Sequence, residues 1–145
     1  QVDAICRYLE EVYPETPLHG RTPVERAMVN ASNHQLQMNG FTAGAEAFRN
    51  STPGFKNRAL PGPHNYSQIP ELAHRGLQRL DHLFADLDAH LANSEFIVGD
   101  YYSIADITAL CIIDFAKWVK KRIPEDCSNL QRWYDQVNSR PSAKA

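Results

Sequence analysis

A chain of 145 residues, 43% hydrophobic and 22% charged, is one ordinary globular domain. At that length it can bury roughly two thirds of the surface of its unfolded chain, enough for a single core. A net charge of −2 and a pI near 6.3 exclude the basic field that a nucleic-acid partner needs.

The chain opens on Gln1 rather than Met and runs at once into an amphipathic pattern, which reads as a chain whose first part is absent. Ile5, Leu9 and Val12 recur at helical spacing opposite Arg7, Glu10 and Glu11, predicting a helix over 3–12. A helix so short cannot stand as a domain and needs something earlier to pack against. Residues 13–21, with Pro14, Pro17 and Gly20, form a linker. Thr22-Pro23-Val24-Glu25 is a capping box with Pro at the first helical position. The helix it opens is expected to reach about Arg49, with a bend or close packing at Gly40 and Gly44. Asn50 to Ser67, broken by Pro53-Gly54 and Pro61-Gly62-Pro63, is a loop.

A third helix spans 70–92, with Leu77, Leu80, Phe84, Leu87 and Leu91 in one stripe. Ser103-Ile104-Ala105-Asp106 is a second capping box, with Tyr102 and Ile107 at the staple positions. The helix after it is apolar nearly all round and belongs at the centre of a bundle. The basic run Lys117, Lys120, Lys121 and Arg122 falls at its end, where cations favour the helix dipole. Ser128 is expected to cap a last helix through Leu130, Trp133, Tyr134 and Val137, closing near Arg140-Pro141. The expected fold class is all-α, a helical bundle.

The chemistry is sparse. Three widely spaced cysteines and no CxxC argue against a disulfide framework or a zinc site, and fit reduced thiols in a cytoplasmic protein. Cys6 and Cys111 read as buried, Cys127 as more exposed. No secretory signal is visible, and the apolar stretch 104–119 is too short to cross a bilayer, so no membrane partner is expected. His82, Asp86 and His90 share a helix face, but it lies opposite the leucine stripe and lacks a fourth ligand; no metal is expected. Asp114, in the most apolar helix, reads as a structural carboxylate bonded to backbone or to an arginine. No nucleophile elbow, zinc-protease helix, phosphate loop or dinucleotide motif occurs, so no catalytic residue is expected within this chain.

Phe96-Ile-Val-Gly-Asp100-Tyr-Tyr-Ser103-Ile-Ala-Asp106-Ile resembles the segment that opens the central helix of cytosolic glutathione transferases. Ala4 to Glu11 resembles the last helix of that family's thioredoxin-like first domain. Pro14 to Gly20 resembles its interdomain linker, and Asn129 to Trp133 with Arg140-Pro141 its closing helix. The likeness covers essentially the whole chain and is greatest to bacterial members. It implies that 1–13 belong to a thioredoxin-like domain that precedes this chain, 14–21 to the linker and 22–145 to the helical C-terminal domain.

The implied activity is conjugation of glutathione, as co-substrate, to an apolar electrophilic small molecule, by a homodimer whose long helix and its neighbour lie at the interface. The residue that activates the thiol would sit upstream of position 1. The family's Glu/Gln-Ser pair, which holds the γ-glutamyl group, falls on Gln1 and Val2; Val2 lacks the hydroxyl, so only its backbone could contribute. Gln37 and Phe41 from the long helix, with Phe115 and Trp118 from the central helix, are placed on the electrophile pocket. A glutathione-dependent disulfide or peroxide reductase and a non-catalytic protein-interaction module are the alternative readings.

Overall fold

The computed structural model describes residues 2–144, folded as six α-helices: α1 (Val2–Val12), α2 (Pro23–Leu36), α3 (Thr42–Ser51), α4 (Pro70–Leu91), α5 (Ile104–Ala116) and α6 (Ser128–Asn138). Among the described residues there is no strand beyond two isolated bridges. The all-α bundle is therefore as expected.

The expected long helix is two helices, joined through a π-helical turn at Gln37–Phe41. One extra residue in the turn rotates everything after it about the helix axis. Gly40 lets this turn lie close against α5: a Cβ there would lie 2.5 Å from Ile112 Cδ1. The Arg79 guanidinium crosses from α4 to donate to the Met38 carbonyl in this turn, at 2.6 Å. α3 then packs along α4, closest at Gly76, where a Cβ would stand 2.5 Å from the Ala43 carbonyl oxygen.

The core gathers Val29, Leu36, Leu80, Phe84, Leu91, Ile112, Ile113, Leu130, Trp133 and Val137. α4 supplies Leu83 as well as the expected stripe, while Leu77 is only half-buried. α5 is central but not covered all round. Ile104, Ile107, Asp114 and Phe115 are half-buried, and Cys111 and Trp118 are exposed on the same side. Two of the three cysteine expectations are thus reversed: Cys111 is exposed and Cys127 buried, because the former sits on the uncovered face and the latter at the packed start of α6, while Cys6 is half-buried.

Both capping boxes close. At the second, Asp106 is fully buried and accepts from Ser103 N–H (2.9 Å), Ser103 O–H (3.2 Å), Ile97 N–H (3.0 Å) and Trp133 Nε1–H (2.9 Å). One carboxylate thereby fixes the entry to α5, the approaching 96–99 turn and α6. Tyr102, expected as a staple, lays its ring against Phe96 (6.0 Å between centroids) and beneath the Arg140 guanidinium (3.9 Å). The cap of α6 comes from outside that helix, not from Ser128. Asp88 on α4 accepts from the Asn129 and Leu130 N–H groups at 2.8 and 2.9 Å.

The linker is fastened at both sides. Glu10 on α1 accepts from the Leu18 and His19 backbone N–H groups and from the His19 ring at 2.8 Å. The Leu18 carbonyl accepts from Ile104 N–H at 2.9 Å, satisfying one of the orphan donors at the start of α5. Gly20, at φ 101°, makes the turn into α2, with no room for a Cβ beside the Glu25 and Arg26 backbone.

An aromatic cleft as candidate functional site

Phe41, the last residue of the π turn, is followed at i+4 and i+7 by Ala45 and Phe48 of α3, on the same side. Phe115 at the end of α5 and Trp118 in the following 3-10 turn (Lys117–Val119) meet them. The Phe41 and Phe115 centroids lie 6.3 Å apart. Phe48 stands edge-on to Phe115 at 5.7 Å, to Trp118 at 6.1 Å and to Phe55 at 5.3 Å. Edge-to-face contacts of this kind add to the apolar burial of the rings. Between them opens a cleft of about 400 Å³, lined by Phe41, Ala45, Phe48, Arg49 and Phe115, within the size range of small-molecule sites.

The rim of the cleft is held by the loop 52–69. The Arg49 guanidinium stacks over Phe55 at 4.5 Å and donates to the Ala59 carbonyl through Nε at 3.0 Å and to the Arg58 carbonyl through Nη2 at 2.5 Å. Gln68 Nε2 donates to the Arg49 and Thr52 carbonyls at 2.8 and 2.7 Å, and Ile69 N–H to Asn50 Oδ1 at 2.9 Å. These bonds satisfy the open end of α3 and pin the long loop to it.

Of the residues expected at the pocket, Phe41, Phe115 and Trp118 come together in this cluster, with Trp118 74% exposed on its edge. Gln37 does not line the cleft. It starts the π turn, and its carbonyl accepts the Thr42 N–H and, at 3.2 Å, the Thr42 hydroxyl. Val2 begins α1 with its side chain exposed, and Gln1 lies outside the described residues. Sequence reasoning missed Ala45, Phe48, Arg49 and Phe55, although the Phe41-Ala45-Phe48 spacing was there to find the first two.

Asp114 is half exposed rather than buried. It accepts from Lys117 Nζ and from the Tyr134 hydroxyl, both at 2.7 Å, in place of the expected backbone or arginine partner. Although Cys111 is exposed, partial desolvation against the helix surface first, and then the Asp114 carboxylate, push its thiol up; burial does the same to Cys127. Both are held away from the reactive thiolate form. No cluster of metal-ligating side chains occurs among the described residues, and His90 bonds instead to the Ile97 carbonyl.

A larger concavity, about 540 Å³, lies between α1, the linker and α2. Its walls are mostly charged groups, several of them already bonded within this region. Glu10 holds His19, Arg7 pairs with Asp3 and bonds the Asn30 side chain, and Arg26 donates to the Arg21 carbonyl. The aromatic cleft, smaller and apolar with one cation, has the character of a ligand site.

A helical domain entered by a fastened linker, with an apolar cleft between α3 and the end of its central helix α5, is the class of structure defined by these features. The family model for the glutathione S-transferase C-terminal domain matches residues 53–141. Glutathione S-transferase 2 of Saccharomyces cerevisiae is 30% identical over 142 residues, 97% of this chain and 58% of the relative. The crystal structure of Gtt2 from the same yeast superposes with a TM-score of 0.88 at 28% identity, covering 99% of this chain and 67% of that one. Elongation factor 1-gamma 2 of Oryza sativa is 26% identical over 98% of this chain and 32% of its own length. The chain belongs to the glutathione S-transferase family and is its C-terminal helical domain. It spans 58% of the length of the yeast relative. No helix among the described residues is long and apolar enough to cross a membrane.

Proposed function

We propose that this chain is the substrate-pocket domain of an enzyme that conjugates glutathione to an apolar electrophilic small molecule. The observation that carries the reading is the open apolar cleft walled by Phe41, Phe48 and Phe115, with Trp118 packed edge-on to Phe48 beside it. Such walls desolvate and orient an electrophile while a glutathione thiolate, the nucleophilic form, attacks it. The activating residue belongs to a preceding thioredoxin-like domain, of which α1 is the last helix and 14–21 the linker. By the family resemblance, Gln1 and Val2 occupy the sequence positions of the pair that holds the γ-glutamyl group of glutathione, Val2 through its backbone alone. Gln37 serves the pocket through the π turn it begins rather than by touching the ligand. The protein acts as a homodimer, for which the exposed Val24, Met28 and Met38 around α2 supply apolar surface.

The test is conjugation of glutathione to 1-chloro-2,4-dinitrobenzene by the intact protein. Turnover is expected, with Phe48→Ala raising KM roughly tenfold through lost contact area. A protein that neither binds glutathione nor turns over any electrophile would sink the reading. The likeness to an elongation factor 1-gamma favours the second reading, a docking module without catalysis, which that outcome would install.

A further inference from the structure

We propose that Arg49 makes the aromatic cleft selective for apolar ligands bearing an anionic group, such as a carboxylate or sulfonate, over neutral ligands of the same skeleton. The inference deepens, and rests on, the reading of the cleft as the substrate pocket.

The guanidinium is permanently charged and carries five N–H donors. The groups that position it are all neutral: the Ala59 and Arg58 carbonyls and the face of Phe55. They orient the cation without cancelling it. None of the ion pairs among the described residues involves Arg49. The carboxylate nearest in sequence, Glu46 one turn earlier, is held by Arg75 at 2.9 Å and Arg79 at 3.3 Å. Asp114, one residue before the cleft wall at Phe115, is taken by Lys117 and Tyr134. The loop that carries the rim adds Lys56 and Arg58, both exposed, and no acidic residue between Thr52 and Ile69.

An uncompensated cation at the edge of apolar walls acts through a lower local dielectric than a charge in open water. Two of its five donors are spent on carbonyls, which leaves others for a ligand anion in fork geometry. Because the side chain is already fixed by the loop, little rotamer entropy is lost when an anion arrives. A stacked, bidentate-anchored arginine in this setting fits a ligand with an aromatic or alkenyl body and one acidic head.

A matched dye pair tests this in the intact protein. 8-Anilinonaphthalene-1-sulfonate and N-phenyl-1-naphthylamine share a skeleton and differ by the sulfonate. Binding is read as quenching of Trp118 emission, with Trp118→Phe identifying the signal that comes from the cleft. The sulfonate dye is expected to bind about tenfold more tightly, a difference of about 1.4 kcal/mol. Arg49→Met should abolish the preference, Arg49→Lys, which keeps the charge but loses the fork and the stacking, retain only part of it, and roughly 0.5 M salt reduce it. Equal binding of the two dyes, or an unchanged preference in Arg49→Met, overturns the inference and leaves the pocket reading standing. Failure of both dyes to quench Trp118 overturns the pocket reading and the inference with it. If Arg49→Met does not fold, the wild-type preference decides: a ratio that does not move with salt rejects the role of charge.

Discussion

Asp106 collects four donors from three parts of the chain while fully buried. Its removal leaves each donor without water or partner, and every buried orphan costs on the order of 1–3 kcal/mol. Asp106→Ala is expected to lower stability by about 4 kcal/mol in urea unfolding. Asp106→Asn, which keeps the shape and one acceptor, should cost about half as much. A loss below about 1 kcal/mol for the alanine variant would mean that the network is not what holds α5, α6 and the 96–99 turn together. At the cleft, by contrast, Phe48 touches three rings without being fully buried, so Phe48→Ala should act more on ligand affinity than on folding.

Two glycines separate packing from chain flexibility at the level of the elements. A Cβ on Gly76 would meet the Ala43 carbonyl at 2.5 Å and the Ala47 nitrogen at 2.8 Å, and backbone cannot step aside as a side chain can. Gly76→Ala should therefore push α3 from α4 and cost about 2–3 kcal/mol. Gly54→Ala meets nothing within 4 Å and should change stability by no more than about 1 kcal/mol. Thermal unfolding of the two variants side by side checks the contrast.

Two carboxylates act as latches between elements. Burial by itself would raise Glu10, but its bonds to the His19 ring and to the Leu18 and His19 N–H groups outweigh that and hold it below its ordinary 4.5. Asp88 is held below its ordinary 3.8, chiefly by the Leu130 N–H. For a lowered acid, the stabilisation is complete above the unfolded-state value and lost as pH falls through the folded one. Stability should thus decline below about pH 4.5, and the Glu10→Gln, Asp88→Asn double variant should show a shallower acid slope than the wild type. An identical slope would remove both latches from the account.

At the scale of the whole molecule, the uncovered surfaces are the informative ones. α1 buries none of its residues, and Val2, Ile5, Leu9 and Val12 present an apolar stripe. One side of α5, from Ile107 through Cys111 to Trp118, is likewise open. An amphipathic helix with its apolar face in water has no stable reason to form unless something covers it. If a preceding thioredoxin-like domain does so, replacing Ile5 and Leu9 together with Asp in the intact protein should cost several kcal/mol, about 1.5–3 for each buried side chain. Differential scanning calorimetry gives the readout, and an unchanged Tm would show that α1 faces solvent in the whole protein.

Helix positions, both capping boxes, the linker and the family resemblance were legible in the sequence because each depends on local spacing and local hydrogen bonding. Thr22 with Glu25, and Ser103 with Asp106, meet within one turn wherever the helices go. Phe41, Phe115 and Trp118 were placed by the resemblance, and their convergence needed the fold. What only the tertiary structure decided involves partners far apart along the chain. Asp88 caps α6 across 41 residues, Cys111 and Cys127 exchange their expected exposures, and Asp114 finds Tyr134 instead of an arginine. Arg49 becomes a fixed, unneutralised cation only because a loop folds back to offer it two carbonyls and a ring. Periodicity tells which side of a helix is apolar, but what lies against that side is set by the packing of the whole bundle.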